Sequence, residues 1–323
     1  MNSPCCGLLS FVGTAFCFEC LGQHASARKT LSSVPVVKIR NGSIELNVSD
    51  DGLASAPPIL LLHGITSHSR TWDWFVPDLA ERFRVLRLDF RGHGNSDRAG
   101  DRYSSSGYIS DAVAVLEQVA GQPAIVMGHS LGGATAAALA QRHPELLRAA
   151  IMEDPPLGLG GSDKPALEGN SLLASFKLMR ESVPRLQASG VTVEVLVAIL
   201  AATPSASGGT FGDSLHADGI EQMAESMLRV DASVLDPVLS GDIEAFLDPA
   251  VPFAVPSLVV CADPAKPDAV ASPELASAFA DISPATETFV VEGAGHLIHD
   301  ELASRDVFRR AALNFLDRPG LMP

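Results

Sequence analysis

Basic residues are scarce in this chain of 323 residues. It carries 23 Lys and Arg against 38 Asp and Glu, a formal net charge of −15 at pH 7. Nucleic-acid grooves and basic membrane-binding faces need concentrated Lys and Arg, so neither partner is expected. Aromatic residues make up only 6%, and the interior must therefore be aliphatic, filled with Ala, Val and Leu. Cysteine is nearly confined to one end: Cys5, Cys6, Cys17 and Cys20 lie in the first 20 residues, and Cys261 stands alone in the remainder. That excludes an internal disulfide framework. Cys17-Phe18-Glu19-Cys20 has C-x-x-C spacing but no second pair or histidine cluster to complete a site, so no metal is expected there. Long uncharged apolar runs are also missing, which excludes a convincing membrane span. The apolar stretch near the start has no Lys or Arg before Arg28, whereas a secretory signal needs a basic segment ahead of its apolar one. Residues 1–33 read as a disordered leader and the expected location is cytoplasmic, with export through a weak signal as the alternative.

What is present is a repeating alternation. Val34 to Ile39 and Ile44 to Val48, separated by Asn41-Gly42, read as a β-hairpin. Short apolar strands follow at Pro58 to Leu62, Arg84 to Leu88, Pro123 to Met127 and Leu147 to Met152, with helical stretches at Trp72 to Phe83, Gly107 to Val119 and Leu131 to His143 between them. Strands too apolar to have a wet face, alternating with helices, indicate a mostly parallel, doubly wound α/β sheet covered on both sides. The alternation lapses from Pro155 to about Pro252. There, helical stretches at Leu172 to Arg180, Val191 to Ala202, Ile220 to Val230 and Ile243 to Leu247 are broken by Pro, Gly and Ser clusters. It resumes with strands at Pro256 to Cys261 and Thr288 to Val291 and helices at Pro273 to Ala280 and Arg305 to Leu316. The expected organisation is a leader (1–33), an α/β core (34–154 and 253–323) and a helical lid (155–252) inserted after the sixth strand.

The chemistry-bearing motif is Gly128-His129-Ser130-Leu131-Gly132, a G-x-S-x-G pentapeptide between an apolar strand and an alanine-rich helix. A sharp strand-to-helix corner holds its serine in strained backbone angles above the sheet, and small flanking residues let the two elements approach. Ligands of open α/β sheets bind beyond the carboxyl ends of the strands, which directs attention to His63-Gly64-Ile65, Asp89 to Gly94, Glu153-Asp154 and Glu292 to His296. His296 suits a general base near neutral pH. A carboxylate must hold its tautomer, and the backbone NH groups of Ile65 and Leu131 suit an oxyanion hole. His299 is a competing base, and Trp72 and His129 are candidates for substrate contact. The bland alternatives are that Trp72 packs a helix and that His129, next to Ser130, points elsewhere. His63, His93 and Arg91 read as scaffolding.

Through His63-Gly64, Trp72, the D-F-R-G-H-G-N-S segment Asp89 to Ser96, Gly128 to Gly133 and Gly295-His296, the chain resembles the α/β-hydrolase superfamily with a lid. The resemblance runs from residue 58 to 316 and implies that fold. Serine rather than aspartate at position 130 implies an acyl-enzyme, not the alkyl-enzyme ester of dehalogenases and epoxide hydrolases. Many members place the acid after the strand ending at Cys261, but Ala265 stands at the usual position. In a subset, the acid lies 24 positions beyond the nucleophile, where this chain has Asp154. Asp154 is favoured, with Asp263 next and Glu153 third. The implied activity is cofactor-free, metal-free hydrolysis of a small neutral, fairly apolar carboxylic ester or lactone. C-C bond hydrolysis or perhydrolysis on the same triad is the alternative, and a hydrolase-like ligand receptor is the rival from another class.

Overall fold

The computed structural model describes residues 9–11, 14–16, 35–100, 102–158, 170–205 and 208–321. The expected leader therefore lies almost wholly outside the described residues; within it, Leu9–Phe11 pairs antiparallel with Thr14–Phe16. The body is built on eight strands: β1 (Val36–Asn41), β2 (Ile44–Asp51), β3 (Pro58–Leu62), β4 (Arg84–Asp89), β5 (Ala124–His129), β6 (Leu147–Glu153), β7 (Ser257–Cys261) and β8 (Thr286–Val290). They form one sheet in the order β8-β7-β6-β5-β3-β4-β2-β1. The hairpin β1–β2 pairs antiparallel, as does β2 with β4, and every other pairing is parallel. The mostly parallel α/β sheet expected from the alternation is thus present.

Side-chain alternation along the central strands divides the core in two. Ile59, Leu61, Ile125, Met127 and Ile151 face a cluster completed by Trp72, Phe75, Phe308 and Phe315, supplied in part by α1 (Val76–Ala80) and the closing helix Arg305–Leu316. Leu60, Leu62, Val126, Ala150 and Met152 face the other cluster, covered by α2 (Ser105–Val115) and α3 (Leu131–Arg142). The alanines of α3 are buried, and their small size lets this helix lie close against the sheet.

Between β6 and β7 the described chain forms α4 (Ser171–Ser189), α5 (Val193–Ala201), α6 (Phe211–Ser214), α7 (Ala217–Met227) and α8 (Asp236–Ser240). Three details differ from the sequence reading. Trp72 to Phe83 is not one helix: a 3-10 turn (Ser69–Trp72) precedes the short α1, which starts on Val76-Pro77, where a proline's missing N–H costs nothing. The helix expected to stop at Arg180 continues through Pro184 because the turn beyond it buries Val183 and Leu186. Ile243 to Leu247 is not helical. Its carbonyls are taken instead by tertiary donors, Ser105 Oγ to Glu244 O at 2.6 Å and Arg142 to Phe246 O at 2.8 Å.

Candidate active site

Ser130 sits at the corner between β5 and α3 with φ 51° and ψ −113°, a combination costly for a residue with a side chain. Two glycines make the corner possible. A Cβ on Gly128 would lie 2.2 Å from the Gly132 backbone, and one on Gly132 would lie 2.4 Å from the Leu62 carbonyl oxygen. The strain is held by backbone bonds on both sides, Ser130 N–H to Glu153 O at 2.8 Å and Ala134 N–H to Ser130 O at 2.8 Å.

Asp154 follows β6 in another strained conformation, φ 39°, and is fully buried. Its carboxylate is saturated. Oδ1 accepts from the Ala262 and Ala271 amides, each at 3.0 Å, and Oδ2 from the Val270 amide at 3.0 Å and His296 Nδ1 at 2.6 Å. With a proton on Nδ1 donated to Asp154, His296 Nε2 is the basic nitrogen. Both Ser130 and His296 line one cavity, together with Ile65 and Leu131. Leu131 is the first residue of α3, where a helical N–H has no acceptor within its own helix. Neither the Ile65 nor the Leu131 amide has a hydrogen-bond acceptor among the described residues. A strained serine, an imidazole braced by a carboxylate and two free amides at one cavity are the parts that acyl transfer uses.

Asp263 lies elsewhere. It accepts from the amides of Ala265 at 2.9 Å and Gly293 at 2.7 Å, which fold the loop ahead of His296. Glu153 and His299, the other acid and base weighed from sequence, form a second carboxylate–imidazole pair. Their side chains meet at 2.8 Å, both buried. Burial alone would disfavour a charged imidazole, but the adjoining Glu153 carboxylate, with Asp300, outweighs it and raises the His299 pKa to about 9. The segments 153–154 and 296–299 are thus clipped together twice, once at the cavity and once inside the core.

Trp72 and His129 do not line the cavity. Trp72 is fully buried on the opposite face of the sheet and stacks on His299 with ring centroids 4.7 Å apart. His129 is turned beneath Gly64, whose Cβ position would be 2.8 Å from His129 Nδ1. Its Nε2 donates to His296 O at 2.9 Å, and burial, followed by the nearby His296 and His299 rings, holds its pKa well below the ordinary value. It is a neutral strut under the His296 loop. His129, Glu153 and His299 bring three potential metal-ligand atoms within 4.8 Å of one another. The Glu153–His299 ion pair and the His129 strut already engage all three side chains.

The Ile65 loop has its own supports, which sequence reading did not reveal. Thr66 has φ 65°. Its N–H donates to His93 Nε2 at 3.3 Å, and its carbonyl accepts from Ser226 Oγ at 2.5 Å. Burial lowers the His93 pKa to about 4, which keeps Nε2 an acceptor at neutral pH. Ser226 belongs to a face of α7 that also supplies Gln222 O to His68 Nε2 at 3.2 Å and Glu225 to Arg70 at 2.7 Å. Residues three and four apart on one helix thus hold alternate residues 66, 68 and 70.

Residues 59–311 match the model of the alpha/beta hydrolase family. The chain belongs to that family. Among curated relatives, the 2-(acetamidomethylene)succinate hydrolase of Mesorhizobium japonicum is 36% identical over 113 residues, covering 35% of this chain and 40% of that protein. A pimeloyl-[acyl-carrier protein] methyl ester esterase of Aeromonas hydrophila is 33% identical over 135 residues, covering 42% and 52%. The matched part of this alpha/beta hydrolase therefore spans only about half or less of the length of those relatives. A crystal structure of E-2-(acetamidomethylene)succinate hydrolase superposes with a TM-score of 0.68 at 24% identity, covering 88% of this chain and all of that one. The enol-lactonase from Burkholderia xenovorans gives 0.63 at 20% identity, covering 87% and 100%. At those identities the likeness is one of fold. No helix among the described residues is long and apolar enough to cross a membrane.

Proposed function

We propose that this hydrolase is a serine enzyme that cleaves a small, neutral carboxylic ester or lactone through an acyl-enzyme. The observation that carries the reading is the 2.6 Å contact between His296 Nδ1 and Asp154 Oδ2 at the cavity that Ser130 also lines. Ser130 Oγ attacks the acyl carbon while His296 Nε2 takes its proton, and the carbonyl oxygen, now negative, lies against the Ile65 and Leu131 amides. His296 then returns the proton to the departing alkoxide. Water repeats the sequence in reverse and frees the acid.

The helical insert acts as a lid in this reading. Leu172, Phe176, Val234 and Phe246 line the cavity from the chain between β6 and β7, and among the described residues no Lys or Arg lines it. An uncompensated carboxylate there would bear a heavy desolvation penalty, so the substrate is neutral. This separates the chain from the relative whose printed name specifies a succinate. The ester-cleaving and lactone-cleaving names among its similar proteins favour the same reaction class. A 2-hydroxymuconate semialdehyde hydrolase among them, 34% identical over 130 residues and matched over 44% of its length, makes C-C cleavage on the same residues the second reading.

The test is a panel of simple acyl esters, lactones and vinylogous diketones, with the covalent adduct on Ser130 weighed by mass spectrometry after acid quench. An adduct with the mass of the acyl group on ester turnover is expected. Turnover of the diketones alone would move the assignment to C-C hydrolysis.

A further inference from the structure

Besides Ser130 and His296, only two polar side chains among the described residues line the cavity, Ser104 and Tyr108. Ser104 is engaged: its Oγ caps α2 by accepting from the Gly107 amide at 3.1 Å and sits 3.1 Å from Ser106 Oγ. Tyr108 is not. The residue is 2% exposed, and its ring is fixed edge-on against Phe90, with centroids 5.4 Å apart, and against His93 at 6.2 Å. Its hydroxyl is buried with no hydrogen-bond partner among the described residues. Burial, reinforced by Tyr103 and Asp111, raises its pKa well above the ordinary phenol value, so the hydroxyl keeps its proton and is a donor. A buried donor without an acceptor is a destabilising arrangement that a fold does not retain without compensation.

We infer that Tyr108 is a substrate-binding residue whose hydroxyl donates to a neutral acceptor oxygen, a ketone or an ether, carried by the substrate away from the bond that is cleaved. The inference rests on the proposed serine-hydrolase reading and narrows its substrate class. The remaining described lining side chains are apolar, so one hydrogen bond distinguishes an oxygenated chain from a hydrocarbon one. A carboxylate in the same place would have a single phenol to offset its desolvation and no Lys or Arg among the described lining residues.

The test compares methyl octanoate with the four methyl oxo-octanoates that carry the ketone at successive carbons from the fourth to the seventh, in the wild-type enzyme and in Tyr108→Phe. In the wild type, at least one keto ester is expected to exceed methyl octanoate about tenfold in kcat/KM, the worth of one satisfied hydrogen bond. In Tyr108→Phe that ratio falls to about one. The same ratios read as Kd by calorimetry on Ser130→Ala backgrounds make the result independent of turnover. The proposal is overturned if no keto ester is preferred, or if the preference survives in Tyr108→Phe, as it would were the phenol satisfied by an ordered water. Labelling of Ser130 by a fluorophosphonate in the wild type separates the two claims. A labelled enzyme with unchanged ratios refutes the Tyr108 assignment alone, and an unlabelled one refutes the serine mechanism.

Discussion

Replacing Asp154 by asparagine changes one atom and inverts the logic of the site. Oδ1 can keep the Ala262 and Ala271 amides, but the new NH2 group then faces two donors, the Val270 amide and His296 Nδ1. The imidazole can escape by moving its proton from Nδ1 to Nε2, and the nitrogen that should accept the Ser130 proton then carries one of its own. The wrong tautomer in a serine triad lowers kcat by about 10⁴, or ~5.5 kcal/mol of barrier. The stranded Val270 amide adds about 1–3 kcal/mol of lost stability. Steady-state kinetics on a simple ester, with melting temperature recorded alongside, measures both. Asp263→Asn loses only loop bonds to Ala265 and Gly293, and a fall of less than about tenfold is expected. Asp154→Asn retaining a tenth or more of the wild-type kcat, or Asp263→Asn proving the more damaging, would refute the reasoning.

Other outcomes follow from neighbouring features. Ser226→Ala removes the donor that α7 gives to Thr66 O, and kcat on a simple ester should fall about tenfold with KM little changed; an unchanged kcat would detach α7 from the oxyanion loop. Gly132→Ala places a Cβ 2.4 Å from the Leu62 carbonyl oxygen and should cost about 3 kcal/mol in urea unfolding; a neutral result would mean that α3 can back away from the sheet. His93 has its pKa lowered to about 4 by burial, so between pH 6.5 and 4 the unfolded chain binds a proton that the folded one does not. Stability from this group is complete above pH 6.5 and is lost as the pH falls. His93→Gln, which can keep both hydrogen bonds, should lose about 3 kcal/mol less over that interval. Parallel pH–stability curves for the two proteins would contradict this.

The parts of the fold set by local pattern were legible in the sequence. Apolar runs such as Pro58–Leu62 and Ala124–Val126 can only be central strands, and Gly128 and Gly132 around Ser130 mark a corner where backbones touch. The resemblance to hydrolases whose acid lies 24 positions beyond the nucleophile implied Asp154, and the fold brings that residue against His296. What stayed hidden depends on which way a side chain faces. For Trp72 and His129 the sequence offered substrate contact or packing, and the sheet puts Trp72 on its far face while Gly64 admits the His129 ring beneath the loop. Glu153 and His299, each weighed singly as an acid and a base, pair with each other because one step along a strand reverses the side chain's direction. Tyr108 fell on an amphipathic helix, where periodicity says nothing of a hydroxyl's partners. Ile243 to Leu247 had helical spacing, but donors from Ser105 and Arg142, remote in sequence, took its carbonyls.

The reactivity of Ser130 is the central claim. Intact protein is titrated with fluorophosphonate from below to above one equivalent, and the adduct is located by peptide mass spectrometry in the wild type, His296→Ala and Ser130→Ala. One equivalent on the Ser130 peptide, labelled far more slowly without His296 and absent without Ser130, is the expected result. A wild-type protein that takes up no label, or takes it on a different residue, would contradict it.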